Sequence, residues 1–149
     1  MEIKKILWPT DFSKNASYAL PYVTSLSQKY NAEIHILYVG EDLSHHEAWY
    51  GEFEKSHIPK IREWEAQSAD KKLNQICENH LAGCPLYVRH VVVGDPAEEI
   101  LKLIKNEKID VVVMSTHGVR DNFPFGSVTD KVVKNSPVPV FTVTTPKHK

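Results

Sequence analysis

The chain has 149 residues, 42% of them hydrophobic, and this length suits one domain that buries roughly 70% of the surface of its unfolded chain. Its 18 Lys and Arg residues nearly balance its 19 Asp and Glu residues, so no overall field favours binding to nucleic acid or to an anionic membrane. Cys77 and Cys84 are too few for a disulfide framework, and the sequence shows neither an apolar targeting segment nor a membrane-length apolar run, so we expect a cytoplasmic protein with reduced thiols.

The amino-terminal part of the chain predicts a strand, a helix and a second strand. Residues 3–8 form a short apolar run that Pro9 ends, and residues 32–39 form a β-rich run that Gly40 ends. Between them a helical pattern opens near Ser13. It repeats small and apolar residues on one face: Ala16, Ala19, Leu20, Val23, Leu26 and Ser27. The polar stretch at 41–51 is expected to be a loop.

The middle of the chain predicts a long helix, a third strand and a further helix. Residues at helical spacing run from about 53 to 81, with Pro59 near the first turns. They are Ile58, Ile61, Trp64, Ala69, Leu73, Ile76 and Cys77. We interpret Trp64 and Leu73 in this stripe as core residues. Residues 86–93 predict a strand, after which Asp95 and Pro96 match the N-cap and first position of a helix, with Glu98 at its third position.

The last third predicts a wholly apolar strand at 109–114, a helix from Ser127 to Lys134 and a final strand at 140–144. Strand and helix therefore alternate along the whole chain, which indicates parallel strands with right-handed crossovers. We expect a single α/β domain over residues 1–149, a doubly wound parallel sheet with helices on both faces. Pro137 and Pro139 precede the final strand and favour an edge position, so a second copy of the chain is expected to pair with residues 138–143.

The junction between the fourth strand and the last helix carries the clearest functional signal. Residues 111–118 predict a buried strand that ends in a small-residue loop, and a helix opens at Gly126 and Ser127. A helix start at the carboxyl end of a parallel sheet directs free backbone N–H groups at an anion, so the arrangement predicts a nucleotide or phosphate site. The alternative is structural, because Ser127 and Asp130 also match a capping box that serves only the helix itself.

Five short motifs, in order, resemble those of the universal stress protein family, in particular its A type. Residues 6–13 (ILWPTDFS) resemble the first strand and its following Asp, residues 35–39 (HILYV) the second strand, and residues 94–96 (GDP) the exit of the third. Residues 115–118 (STHG) with 126–128 (GSV) resemble the family's signature loop, and residues 137–140 (PVPV) its last strand. The resemblance covers the whole chain. It implies a five-stranded sheet of order 3-2-1-4-5 and a homodimer through the last strand.

The resemblance also implies an ATP site, since some family members bind ATP through a loop written G-x2-G-x9-G-[ST]. Carried over by position, adenine and ribose are expected near the ends of the first two strands, with Met114 beside them: Pro9, Thr10, Asp11 and Val39. The phosphates are expected on residues of the loop and helix start: Ser115, Gly118, Gly126, Ser127 and Val128. Asp11 has an alternative reading as a turn or cap residue.

This chain departs from the family's loop at two points. Ser115 stands where the motif has its first glycine, and Gly118 and Gly126 are separated by seven residues where the motif has nine. The leading hypothesis is therefore a stress-response regulatory protein that binds ATP or another adenine nucleotide without dedicated catalysis. The alternative is a dimeric interaction protein of the same family that works without nucleotide.

Other candidate sites are interpreted as structural. His117 lies at the same edge but lacks a nucleophile or second carboxylate beside it in the sequence, so we expect it to stabilise the loop through a hydrogen bond. His45, His46 and Glu47 are adjacent loop residues without metal-ligand spacing. No G-x4-G-K-[ST] loop is present. A phosphoacceptor receiver domain would need an acidic pair after the first strand, where Asp11 stands alone.

Overall fold

A computed structural model describes residues 2–40, 58–82, 84, 86–117 and 126–146. Its five parallel strands lie in the order β3-β2-β1-β4-β5. The strands are β1 (Lys5–Pro9), β2 (Glu33–Gly40), β3 (Tyr87–Val93), β4 (Val111–Ser115) and β5 (Val140–Val143). The helices are α1 (Lys14–Ser17), α2 (Leu20–Tyr30), α3 (Ile58–His80), α4 (Pro96–Asn106) and α5 (Ser127–Asn135). The predicted sheet order and the parallel, doubly wound architecture are confirmed.

The sheet separates two apolar cores because successive side chains of each strand point to opposite faces. On one face Ile6 and Trp8 of β1 pack with residues of α2 and α3, including Val23 and Leu73. On the other face Leu7 packs with residues of α4 and α5 that include Ile100 and Val132. This two-sided burial explains why β4 is apolar throughout, as its sequence predicts.

The strand order changes direction between β1 and β4. From β1 the chain first moves outward to β2 and β3, then returns across the sheet through α4 to place β4 on the other side of β1. Leu7 of β1 aligns with Val112 of β4, and Trp8 aligns with Ile36 of β2. Open α/β sheets bind ligands at the carboxyl ends of the strands that flank such a reversal. The fold therefore singles out the ends of β1 and β4.

The single helix predicted after β1 is instead two helices, α1 and α2. Ser13 caps α1 by accepting a hydrogen bond from the Ala16 N–H at 3.0 Å, as a helix start near Ser13 requires. The chain then tightens, with the Ala19 N–H bonded to the Ala16 carbonyl. Pro21 explains the break, because it has no N–H to donate to the Ser17 carbonyl four residues earlier.

The interpretation of Trp64 as a core residue was wrong. Its side chain is 69% exposed, whereas Leu73 is fully buried as predicted. The buried stripe of α3 runs through Ala69, Leu73, Cys77 and then Leu81 beyond the helix, at intervals of four residues. Trp64 precedes Leu73 by nine residues, which at 3.6 residues per turn places it on the opposite side of the helix.

Burial raises the pKa of the Cys77 thiol, and both cysteines are free. Within the described segments, no helix combines the length and apolar character needed to cross a membrane.

Candidate functional site

The exit of β1 is a tight turn whose polar groups largely bond to one another. The Thr10 N–H donates to the Leu37 carbonyl of β2 at 2.9 Å, which continues the pairing of β1 and β2 past Pro9. Thr10 Oγ1 accepts from the Phe12 N–H at 3.1 Å, and Asp11 Oδ1 accepts from the Ser13 N–H at 2.9 Å. Thr10 is buried and Asp11 is exposed. Both readings of Asp11 are thus compatible, since one carboxylate oxygen shapes the turn while the residue stays accessible to solvent.

The end of β4 forms hydrogen bonds with two helices, α1 and α5. Met114 is buried in the core that faces α4 and α5. Ser115 Oγ donates to the Asn15 carbonyl of α1 at 2.6 Å, and the Ser115 carbonyl accepts from the Thr129 hydroxyl of α5 at 2.9 Å. The Ser115 side chain, which stands in place of the motif's first glycine, is therefore engaged with α1.

The start of α5 differs from the capping box that its sequence suggests. Gly126 is the N-cap, because its carbonyl accepts the first helical hydrogen bond from the Asp130 N–H at 2.9 Å. No side chain in the described part of the chain caps the helix there. Ser127 is instead the first helical residue. The Gly126 N–H donates to the Thr116 carbonyl at 2.8 Å, so the donors that the helix cannot use internally begin at Ser127 and Val128.

The structure brings most of the predicted site residues to one edge of the sheet. Pro9, Thr10 and Asp11 follow β1, Val39 lies near the end of β2, Met114 and Ser115 end β4, and Gly126, Ser127 and Val128 open α5. The Thr116 N–H donates to the Val143 carbonyl at 3.0 Å, which joins this edge to the end of β5. Gly118, like the apolar residues 123–125 of the loop, lies outside the described residues.

His117 makes the kind of contact that its sequence position predicts. Its Nδ1 lies 2.8 Å from the Thr116 hydroxyl and 3.3 Å from the Thr145 hydroxyl, which follows β5. The histidine therefore links the exits of β4 and β5. The predicted loop at His45, His46 and Glu47 lies outside the described residues, and within the described ranges no group of three or more acidic, His or Cys side chains could hold a metal ion.

Sequence reasoning missed an aromatic cluster on the α3 side of the β1 exit. Phe12 stacks on Tyr38 with ring centroids 4.7 Å apart, and Lys72 Nζ lies 5.2 Å from the centre of the Phe12 ring. Tyr38 in turn donates its hydroxyl to Glu65 of α3 at 3.0 Å. In the sequence Phe12 belongs to the turn after the first strand and Tyr38 to the second strand, and neither position indicates a contact between them. The packing register between α3 and β2 brings the cluster together, and no local pattern encodes that register.

A broad groove of about 810 Å³ lies at the opposite, amino edge of the sheet, beside Lys4, Lys29, Tyr30 and Leu86. Its rim carries the exposed ion pair of Lys4 with Glu2. The carboxyl edge is the candidate site considered below, because parallel sheets of this topology bind ligands at that edge and not at the amino edge.

The sequence model of the universal stress protein family matches residues 2–144. Universal stress protein MJ0531 of Methanocaldococcus jannaschii is 31% identical over 148 residues, which cover 98% of this chain and 85% of the relative. Universal stress protein MJ0577 of the same organism is 31% identical over 157 residues and covers 94% of both chains. The solved structure of MJ0577 has a TM-score of 0.83 to this one and covers 99% of this chain and 100% of its own.

Two further solved structures share the fold at lower identity. A universal stress protein in complex with cAMP is 19% identical, with a TM-score of 0.68 over 98% of this chain and 100% of its own. A family member from Arabidopsis thaliana with AMP bound is 16% identical, with a TM-score of 0.62 over 96% of this chain and 92% of its own. With the family's sequence model matching nearly the whole chain and two relatives 31% identical along it, this protein belongs to the universal stress protein family.

Proposed function

We propose that this protein is a stress-response regulator that binds an adenine nucleotide at the carboxyl ends of β1 and β4. The observation that carries the proposal is the position of the predicted residues, which meet where the strand order reverses and where α5 begins. The structures with cAMP and with AMP bound support it at the level of the fold. Asp11 accepts hydrogen bonds from the ribose or the adenine amine in this proposal, and Val39 provides apolar surface. The buried Met114 belongs to the core cluster against which Val39 packs.

The adenosine part of this site contributes more to binding than the phosphate part. The turn after β1 is well ordered by its own hydrogen bonds. At the start of α5 the Gly126 N–H already bonds to Thr116, which leaves the donors of Ser127 and Val128 for phosphate. The loop between Gly118 and Gly126 also has seven residues instead of nine. We therefore expect weak binding, with ATP preferred over AMP by less than about tenfold, or roughly 1.4 kcal/mol.

The proposed role is binding without dedicated turnover. The sequence contains no G-x4-G-K-[ST] loop to supply the lysine and the magnesium-binding hydroxyl of the common nucleotide hydrolases. His117 Nδ1 lies within hydrogen-bond distance of the Thr116 and Thr145 hydroxyls, a contact that suits a role in holding the loop. Nucleotide occupancy would then act as the signal, which the family's stress role makes reasonable.

Calorimetric titration with ATP, ADP and AMP tests the proposal. Asp11→Asn keeps an oxygen that accepts the Ser13 N–H but removes the charge, so it should weaken AMP binding by about fivefold, since hydrogen bonds to charged groups contribute roughly 1 kcal/mol more than neutral ones. Glu2→Gln, at the exposed amino edge, is the matched control and should leave binding unchanged. Absence of binding by every adenine nucleotide at millimolar concentration would rule the proposal out.

A second candidate function is a nucleotide-independent interaction protein, which the shortened loop favours. Submicromolar ATP binding that Gly126→Val abolishes would exclude this candidate, and it would also overturn our expectation of weak phosphate binding. In either function we propose a homodimer through β5, which is an edge strand of the described sheet.

A further inference from the structure

Phe12 adopts a backbone conformation that bulky residues rarely adopt. Its φ is 64°, in the left-handed region that favours glycine. Among the described residues other than glycine, Asn31 and Lys108 also have a positive φ. Neither lies at the carboxyl edge of the sheet. The surrounding contacts must therefore hold Phe12 in place.

Those contacts enclose the Phe12 ring from two directions. Tyr38 of β2 stacks on it at 4.7 Å with an interplanar angle of 27°, and Lys72 of α3 places its Nζ 5.2 Å from the ring centre. An ammonium at that distance is attracted to the electron-rich face of the ring. The Phe12 N–H donates a hydrogen bond to Thr10 Oγ1 within the same turn, which stabilises the turn.

The Tyr38 ring is itself fixed by α3. Its hydroxyl donates to Glu65 Oε1 at 3.0 Å, and the same carboxylate packs against Gly40, where an added Cβ would lie only 3.0 Å from Oε1. Glu65 and Lys72 of α3 each lie about one helical turn from the buried Ala69, on either side of it along the helix. Glu65 contacts Tyr38, and Lys72 contacts Phe12. Through these contacts α3 helps to fix the position of Phe12, and with it the turn after β1.

We propose that Phe12 is a positioning residue for the nucleotide site, which acts by fixing the turn from Thr10 to Ser13 and hence the place of Asp11. This inference rests on the proposed function. Asp11 is adjacent to Phe12, and its Oδ1 accepts the Ser13 N–H on the other side of the same residue. Loss of the aromatic stack would release the left-handed conformation, and Asp11 would then sample positions that cannot reach a ribose. A role in packing alone would lower stability without changing the affinity of the folded protein.

The test compares Phe12→Gly, Tyr38→Leu and the double variant by AMP titration well below each variant's unfolding temperature. Glycine accepts the φ of 64°, so Phe12→Gly removes the ring without adding backbone strain. Each single variant should raise the Kd for AMP by about tenfold. The double variant should raise it no further, because both substitutions break one stack. Phe12→Tyr should restore binding, and Lys108→Gly, which relaxes a similar φ at a distant turn, should leave it unchanged.

A second measurement does not need the nucleotide. The amides of Ser13 and Ala16, which donate to Asp11 Oδ1 and Ser13 Oγ, should exchange with solvent about tenfold faster in Phe12→Gly than in the unaltered protein. Unchanged AMP affinity in Phe12→Gly, or additive losses in the double variant, would overturn the positioning role while leaving the proposed function intact. If the unaltered protein binds no adenine nucleotide, both proposals fall together.

Discussion

Two histidines and a glutamate form a hydrogen-bonded chain between β2 and β3. His35 is fully enclosed, with Nε2 2.6 Å from Glu33 Oε1 and Nδ1 2.9 Å from His90 Nε2. Each contact needs one proton, so a neutral His35 that donates to Glu33 can accept from a neutral His90. If both rings were charged, an N–H of His35 would face an N–H of His90. The hydrogen-bonded chain can therefore form when both rings are neutral but not when both are charged.

This arrangement predicts that acid weakens the fold. Burial is the main cause that lowers the pKa of His90, His35 lowers it further, and Glu107 partly opposes them. A histidine with a lowered pKa binds fewer protons in the folded than in the unfolded protein. Its contribution to the free energy of unfolding is therefore complete above about pH 6.5, the ordinary pKa, and is lost as the pH falls from there through the lower pKa of the folded state. The free energy of unfolding in urea should be lower at pH 5.5 than at pH 7.5.

Two variants separate this effect from general acid destabilisation. His90→Gln keeps a donor for His35 Nδ1 and cannot titrate, so the difference between the two pH values should shrink. His80→Gln, an exposed histidine at the end of α3, should keep the difference of the unaltered protein. An equal pH dependence in His90→Gln and the unaltered protein would contradict the assignment.

Asp110 fixes the amino end of β1 with one oxygen. Its Oδ2 accepts from the N–H groups of both Lys4 and Lys5 at 2.9 Å, and its own N–H donates to the Lys5 carbonyl. Asp110→Ala should cost about 1–3 kcal/mol, because one of these donors is partly buried and loses a charged acceptor. Asp110→Asn, which keeps an acceptor oxygen, should cost less in the same urea titration. Equal losses would show that the side-chain oxygen has no such role.

At the scale of whole elements, the two helices that follow β3 and β4 begin in different ways. Asp95 caps α4 by accepting from the Glu98 N–H at 3.0 Å, with Pro96 directly after it. At the start of α5, no side chain among the described residues caps the helix. Asp95→Ala should therefore cost about 1 kcal/mol of unfolding free energy, whereas Ser127→Ala should stay within about 0.5 kcal/mol. A larger loss from Ser127→Ala would restore the capping box that the structure rejects.

These elements also show what a sequence can and cannot predict. The start of α4 was predictable because its cap depends on three neighbouring residues. The core prediction for Trp64 fails because Trp64 joins the buried stripe only through its interval of five residues to Ala69, which does not keep to one face of a helix. The paired positions of Phe12, Tyr38 and Lys72, or of His35 and His90, depend on how strands and helices meet, and this information is distributed over the whole fold. The sheet order itself came from the family resemblance, not from periodicity.

For the whole molecule, β5 forms one border of the described sheet and should pair with a second copy. Phe141 is 42% exposed there and contacts Tyr22 of α2 with ring centroids 5.7 Å apart. A charge at this position would be buried beside apolar surface in a dimer. Phe141→Asp should shift the protein from dimer to monomer in sedimentation at micromolar concentration, by roughly tenfold or more in dissociation constant.

The matched control for the dimer is Val91→Asp on β3, an exposed valine at the opposite border of the described sheet. It should sediment as the unaltered protein does. A monomeric unaltered protein, or a dimer that Phe141→Asp leaves intact, would remove β5 as the interface.

The central claim is that an adenine nucleotide binds where β1 and β4 end, and backbone amide NMR during AMP titration tests it most directly. We predict shifts concentrated at Thr10, Asp11 and Val39, at Ser115 and Thr116, and at Ser127 and Val128, with smaller changes elsewhere. Shifts concentrated instead along the amino-edge groove near Lys4, Lys29 and Leu86, or no shifts at millimolar AMP, would contradict it.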